Sequence, residues 1–487
     1  MQSGFRFRLY PTPEQASRLL QWIGCQRFIY NAKVSEDLYF RVFARKSLDH
    51  VGQFAPQDQQ YSHFITEATP WLREVPSQVL RNAAVRWKQA YSRYWRKLGG
   101  RPKIQKRHGT QGVWLTSELF RFEPVVQPET GQRTYCLHVG TRKWPVGVVR
   151  YSAHRAHAIP ASITLSIDAG RWYLSFANDD GVPEPLEAET ANWLAAFSEE
   201  ELRARTVGVD RGVAIPFACS NGSQFDLKPI ERDRIAKKQT AARRWQRKLA
   251  RRTHGGANRR KAAQRIASLR RYEKDVRRDF AHQTSHALVA DPKALLIVFE
   301  ALGVQRMTRK PKAKRDAQGR WEKNGSRAKA GLNRSILGSA WSTTKVYTAY
   351  KARRVGKLVV EVAPHHTSQE CAQCGHTHPD NRRSQAGFVC QCCGHTDNAD
   401  HNAGRNIAQR GVSLVVSGEF KPRQTKRVMR MRKKTVGAGC SEFTLGEIAV
   451  SRGTGNSAVL RSMNQETPHL NRHRRLGGGS VIMTMLG

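Results

Sequence analysis

Residues 371–406 read CAQCGHTHPDNRRSQAGFVCQCCGHTDNADHNAGRN. Cys371 and Cys374 form one C-x2-C pair, and Cys390 and Cys393 form a second, fifteen residues further on. Two such pairs at this spacing predict a four-cysteine zinc ribbon, each pair placing two thiolates on one knuckle. Gly375 and Gly394 follow the pairs and permit the tight turn that brings backbone N–H groups to sulfur. Four thiolates close the tetrahedron, so the expected Zn²⁺ is structural, one per chain. Cys393 satisfies the spacing, which leaves Cys392 a bystander. His376, His378 and His395 read as exposed side chains rather than ligands.

Just past the ribbon, Asp400 opens a helical pattern running from about Asn402 to Gln409. Two other acids occupy comparable places upstream. Asp210 ends the apolar run Thr206-Val-Gly-Val, and Glu300 ends Leu295-Leu-Ile-Val-Phe299. An ionised carboxylate at the end of a buried-type strand needs a partner. A divalent cation such as Mg²⁺ or Mn²⁺ is one, because hard oxygen ligands suit it. Acids exposed at strand ends are the alternative, and Asp400 could simply cap its helix. The residues alone leave both readings open.

Working outward, residues 4–10 alternate apolar and basic side chains as a strand does, and Thr12-Pro13-Glu14 starts a helix. A second helix is predicted over about 77–98, with Val79, Ala83, Trp87, Tyr91, Tyr94 and Trp95 on one face. Those aromatics read as helix core before base-stacking surface. Short β-rich runs fill 113–179 and predict a small barrel that the first strand can join. Residues 181–202, Pro-rich and then acidic, read as a linker. Asn221-Gly222 signals a hairpin. Residues 231–290 hold two long helical patterns split by Gly255-Gly256, and 338–354 holds another. Residues 306–334 read as a basic, mobile loop, either a lid over the acids or a connector. Periodicity fades beyond 415, where a disordered basic tail is expected.

Charge narrows the partners. The 487 residues carry 83 Lys and Arg against 39 Asp and Glu, a formal net charge of +44. Such an excess repels itself unless a polyanion neutralises it, and nucleic acid leads the candidates. Residues 231–282 alone hold 19 Lys and Arg against five acids. Within them Arg243, Arg244, Arg247, Lys248, Arg251 and Arg252 are the candidate nucleic-acid contacts. With 39% hydrophobic residues the chain can bury real cores, and about three domains are expected at this length. No apolar stretch approaches the ~20 residues that cross a bilayer, so no membrane partner is expected. The N-terminus lacks an export signal, and a cytoplasmic, nucleoid-associated protein of a bacterium or archaeon is expected.

Taken in order, Val209-Asp210-Arg-Gly, Glu300-Ala-Leu, Thr367-Ser-Gln-Glu-Cys371, Phe388-x-Cys390-x2-Cys393-Gly394 and Asp400-x-Asn402-Ala403-x2-Asn406-Ile407 resemble the TnpB proteins of bacterial insertion sequences, relatives of the compact type V CRISPR effectors. The resemblance is specific over about 206–410, weaker over 1–205 and absent over 415–487. Arg211 and Gly404 depart from the usual pattern without removing a ligand. The resemblance implies an α+β multidomain protein. A helical recognition lobe (12–108) and a wedge-like β-barrel (1–11 and 109–185) precede a linker (186–204). An RNase H-like, RuvC-type nuclease domain follows (205–364 and 400–414), with the zinc ribbon (365–399) inserted and a tail (415–487) after it.

It further implies an RNA-guided DNA endonuclease in which Asp210, Glu300 and Asp400 hold two Mg²⁺ or Mn²⁺ ions and hydrolyse target-DNA phosphodiesters. The implied partners are a guide RNA and double-stranded target DNA with a displaced strand. A guided repressor that binds without cutting is an alternative, which the intact acids disfavour. A small CRISPR effector is another. A DDE-type transposase is a third, disfavoured by the ribbon. In this family the guide commonly derives from the 3′ end of the coding region, so the tail's composition reflects either RNA constraint or a nonspecific basic extension.

Overall fold

Alternation in Gly4–Tyr10 buries Phe7 and Leu9 on one face and turns Arg6 and Arg8 to the other, where Arg6 lies 3.8 Å over the Tyr173 ring. This strand is β1 (Gln2–Tyr10) in a computed structural model that describes residues 2–44, 58–107, 111–123, 134–179, 181, 183, 185–384 and 386–421. The described residues divide into two units, one within 5–166 and 172–176, the other within 2–4, 167–171 and 177–421.

In the first unit, Thr12 caps α1 (Pro13–Tyr39) in a capping box. The Gln15 amide donates to Thr12 Oγ1 at 3.3 Å, and the Thr12 amide donates to Gln15 Oε1 at 3.0 Å. α1 packs on α2 (Ser77–Trp95). Trp87 and Tyr91 are core, and Tyr91 donates to Asp37 Oδ1 at 2.9 Å. Trp95 departs from the expectation and is 62% exposed. Strands β2 (Gln111–Thr116), β3 (Phe120–Phe122), β4 (Thr134–Gly140), β5 (Pro145–Ser152), β6 (Ser162–Asp168) and β7 (Arg171–Asp179) join β1 in one seven-stranded sheet. Its order is β2-β6-β7-β1-β5-β4-β3, so the first strand sits centrally, beside β5 and β7.

The second unit corrects the linker reading. Residues 186–204 form α3 (Glu187–Ala195) and α4 (Glu199–Ala204), the latter opened by a capping box between Ser198 and Glu201. Ala191, Leu194 and Leu202 are buried against Leu296, Val298, Leu358 and Val360. The apolar residues of this acidic stretch form a helical face, completed by a sheet remote in sequence.

That sheet contains β8 (Thr206–Asp210), β9 (Phe217–Cys219), β10 (Gln224–Phe225), β11 (Leu296–Glu300) and β14 (Leu358–Val362), in the order β10-β9-β8-β11-β14. β8, β11 and β14 are parallel, and β9 runs antiparallel to β8 and β10. Gly222, at φ +88°, makes the β9–β10 turn that Asn-Gly predicts. Between β10 and β11 come α5 (Pro229–Ala250) and α6 (Ala257–Ala290), with Gly255 at φ +82° in the turn between them.

The segment read as a mobile loop is ordered. It holds α7 (Val304–Met307), a hairpin of β12 (Lys314–Arg315) and β13 (Trp321–Glu322), and α8 (Ser326–Gly338), followed by α9 (Trp341–Arg354). Val304, Met307 and Ile336 pack on the core, which the charge of the intervening residues conceals. After β14 the ribbon carries β15 (Gly387–Val389) and β16 (Thr396–Asn398), and α10 (Ala399–Val416) closes the unit. Phe280 and Leu288 of α6 and Trp341 of α9 bury one face of the sheet; α3, α4 and α10 bury the other. Of the predicted tail, α10 reaches Val416, and residues beyond 421 lie outside those described.

Small residues let α10 lie close to the strands. A Cβ on Gly208 would collide with the Gly404 carbonyl and stand 2.6 Å from the Ala408 amide; one on Gly404 would stand 2.9 Å from the Ser220 amide. Gly404, the departure noted above, is therefore demanded by packing. Gly208→Ala is expected to cost at least ~3 kcal/mol, a clash with backbone rather than a movable side chain. Gly24→Ala in α1, where nothing lies within 4 Å, is expected to gain about 0.5–1 kcal/mol. Thermal melting of the two variants checks the pair, and equal shifts would contradict it.

Candidate active site and zinc ribbon

Val209 pairs with Phe299, so Asp210 and Glu300 stand one residue further along neighbouring parallel strands, at their C-terminal ends. Asp400 reaches the same place from the first turn of α10. Its capping role falls to Asn398, whose side chain accepts from the Asp400 amide at 2.9 Å and the His401 amide at 3.3 Å. This corrects the N-cap alternative and leaves the Asp400 carboxylate free for other partners. The three acids line one cavity of about 380 Å³ with the Arg211–Ile215 loop, Leu302, Pro364, Thr367, Ser368 and Arg382.

Burial pushes Asp210 up from 3.8 to about 7, and the Glu300 and Asp400 charges add to the rise; the Arg211 amide and Arg382 oppose it. Glu300 is raised by burial, against a hydrogen bond from Thr367 and the charges of Arg211 and Arg410. Thr367 Oγ1 donates to Glu300 Oε1 at 2.6 Å, and the Arg211 amide donates to Asp210 Oδ1 at 2.8 Å. The buried Arg211 guanidinium donates to the Glu300 carbonyl, and its Nε has no hydrogen-bond partner among the described residues. Arg382, from the ribbon, donates to Asp400 Oδ1 at 3.1 Å. Two carboxylic acids raised by burial, with a third beside them, are a hard-oxygen donor set short of positive charge. Those donors fit divalent cations of the Mg²⁺ class.

The cysteine cluster fits zinc by geometry. The four Sγ atoms lie within 4.8 Å of one another, with Cys371 to Cys393 at 3.7 Å and Cys374 to Cys390 at 3.6 Å. A tetrahedron of ~2.3 Å Zn–S bonds has edges of about 3.8 Å. Both knuckles repeat one pattern. Gly375 and Gly394 take φ of +75° and +71°, and their amides bond the carbonyls of Cys371 and Cys390. The amides of Cys393 and Cys392 lower the Cys390 thiol, toward the thiolate that a metal requires, while burial raises Cys371 and the neighbouring sulfurs raise Cys393.

α10 ties the ribbon to the acids. Asn402 Nδ2 donates to the Glu370 carbonyl at 2.7 Å and its Oδ1 accepts from the Ala372 amide at 2.9 Å. Asn406 Nδ2 donates to the carbonyls of Thr367 and Glu370 at 2.9 and 2.6 Å. One helix thus presents Asp400 to the cavity and holds the loop bearing Thr367. Thr367 and Arg382 carry no local signal that would single them out in the sequence as partners of Glu300 and Asp400.

Away from the cavity, Arg243, Arg244, Arg247, Lys248 and Arg251 are exposed along and just past α5. Arg252 is half-buried and donates to the Asn258 carbonyl, so it helps close the α5–α6 turn.

The chain has known relatives. Residues 185–310 match a family model described as a probable transposase, and 341–407 match a Cas12f1-like TNB domain. Residues 1–36, which form β1 and most of α1, match a model described as a helix-turn-helix domain. The chain is 30% identical over 428 residues to the putative RNA-guided DNA endonuclease InsQ of Escherichia coli, covering 85% of this chain and 94% of InsQ. It is 26% identical to a putative RNA-guided DNA endonuclease of Streptomyces pristinaespiralis, covering 86% and 92%. Among solved structures, a Cas12f1–sgRNA–target DNA complex aligns at 15% identity and a TM-score of 0.48, over 81% of this chain and 82% of that one. The chain belongs to the TnpB family.

Proposed function

We propose that this chain is an RNA-guided DNA endonuclease whose reaction centre is the cavity lined by Asp210, Glu300 and Asp400. The observation that carries the reading is the meeting of these acids from three separate elements, in a chain related over most of its length to InsQ. Two divalent cations held by the three carboxylates supply the activation of water and the neutralisation of the leaving oxygen in phosphodiester hydrolysis. The chain's own residues set up that chemistry. Burial keeps the carboxylates poorly solvated, Thr367 orients Glu300, and Arg382 and Arg211 offset part of the negative charge while DNA is absent.

The strand order β10-β9-β8-β11-β14 supports the RNase H-like reading of the second unit, and the seven-stranded sheet with α1 and α2 supports the wedge and recognition roles for the first. The basic surface of α5 suits the backbone of a guide–target heteroduplex, recognised by shape while base pairing reads sequence. The remaining positive charge suits the displaced strand. The four cysteines hold one zinc. Among the described residues no helix is long and apolar enough to cross a membrane.

The test is to purify the full chain, sequence the RNA that accompanies it, and offer plasmid DNA matching that RNA. Cleavage that requires Mg²⁺ or Mn²⁺ is expected, with at least a thousandfold loss in Glu300→Gln and retained target binding. Absence of a defined RNA, or cutting that survives in Glu300→Gln, would overturn the proposal.

A further inference from the structure

Hairpin β12–β13 has no core of its own. Lys314, Arg315, Trp321 and Glu322 are all exposed, and an isolated two-stranded hairpin is marginal in water. The turn is nevertheless closely specified. Asp316 Oδ1 accepts from the Gln318 amide at 3.0 Å and the Arg320 amide at 2.7 Å, and Gly319 takes φ +78°. Asn324 Nδ2 donates to the Lys312 carbonyl at 3.0 Å and closes the base. Both flanks are anchored, since Asn333 Nδ2 donates to the Thr308 carbonyl at 2.9 Å and Val304, Met307 and Ile336 pack on the sheet core. What these bonds display is one aromatic ring. Trp321 is 67% exposed, and Arg315, its cross-strand partner, lies 4.1 Å from the ring centroid.

The surroundings specify the occupant. Residues 306–329 hold ten Lys and Arg against two acids. A guanidinium covers one face of the indole and fixes its orientation. From Glu300 and the cavity-lining Leu302 the chain runs through one turn of helix and six further residues to the hairpin. A pre-oriented aromatic ring in a strongly positive setting is the arrangement on which unpaired bases stack while phosphates meet the cations.

We infer that the Arg315–Trp321 pair is a stacking platform for an unpaired base of a single-stranded DNA segment passing the reaction cavity. Trp321 is a positioning residue. It holds the strand in place and leaves the chemistry to the acids. This rests on the endonuclease reading for its biological meaning, and its test does not require cleavage.

The experiment uses the full chain with its co-purified RNA, in a Glu300→Gln background. The probe is a single strand not complementary to that RNA and carrying 2-aminopurine, whose fluorescence falls when it stacks on an aromatic ring. Quenching is expected with Trp321 present and largely retained in Trp321→Tyr. In Trp321→Ala it is lost, with roughly tenfold weaker binding of the strand and unchanged binding of a duplex of the same sequence. Equal quenching and affinity in Trp321→Ala would overturn the inference. So would equal weakening for single strand and duplex, the signature of lost hairpin charge, or failure of Trp321→Tyr to restore quenching. If the parent chain does not cut DNA but quenching follows this pattern, the platform stands and the endonuclease reading falls.

Discussion

Replacing Asp210 by Asn is expected to stop DNA cleavage and, in the absence of divalent cations, to make the folded protein more stable. Folding raises Asp210 from 3.8 to about 7, so between those values the native state holds a proton that the unfolded chain has lost. Stability of the metal-free protein therefore falls as pH rises through that window, and the loss is complete above about pH 7. Glu300, also raised, acts in the same direction. Asparagine keeps the acceptor for the Arg211 amide and removes the charge, which recovers about 2–4 kcal/mol at pH 8 on the conversion of ~1.4 kcal/mol per unit.

Melting curves in buffer without Mg²⁺ or Mn²⁺ between pH 5 and 8.5 should slope downward for the parent and more gently for Asp210→Asn. Added Mn²⁺ should raise the parent's melting temperature, more at pH 8 than at pH 6, and raise the variant's far less. Cleavage should fall by at least a thousandfold. A variant that still cuts, or that melts below the parent at pH 8 without Mg²⁺ or Mn²⁺, would remove Asp210 from the site.

Loss of the zinc proposed for the four cysteines is the second large effect expected. The ribbon's own buried cluster is Cys371, Phe388, Cys390 and Ala399, too little to hold some thirty residues together without metal. Structural zinc in such modules is worth about 10–16 kcal/mol, and folding of the module depends on it. Cys390→Ser is expected to abolish zinc binding, open the segment between 371 and 399 to protease and reduce cleavage at least a hundredfold. The path of that effect is local: without the ribbon's fold, Arg382 leaves Asp400. The sheet, whose core is separate, should keep its own melting transition. Cys392→Ser, at an exposed thiol outside the four-sulfur cluster, should retain one zinc per chain. Elemental analysis and limited proteolysis distinguish these outcomes, and a zinc-replete, fully active Cys390→Ser protein would refute the ligand set.

What could be read in the sequence was whatever chemistry is local in it. An apolar run ending in an acid marks both Asp210 and Glu300, and cysteine spacing marks the ribbon, because each feature lies within a few residues. The failures have a common cause. Residues 186–204 looked like a linker because Leu194 and Leu202 meet their partners on strands far along the chain, although Ser198 and Glu201 already spelled a helix start. The hairpin at 314–322 hid within a basic stretch whose only structural cue was Asp316 to Gly319. Arg382 and Thr367 act on Asp400 and Glu300 through tertiary contacts, and no periodicity reports those. In the sequence Asp400 and Asn398 are both possible caps, and only the folded helix start assigns that role to Asn398.

The seating of α10 carries a consequence for the timing of synthesis. Asp210 and Glu300 emerge from the ribosome long before Asp400, and the helix that bears Asp400 docks only against a completed β8, through Gly208, Gly404 and Ala408. A nascent chain that has already laid down the sheet strands thus holds two acids and no finished site. Under the proposed function, cutting ability arrives in one late step, when α10 docks on the sheet, and a translation product truncated before α10 lacks a finished site.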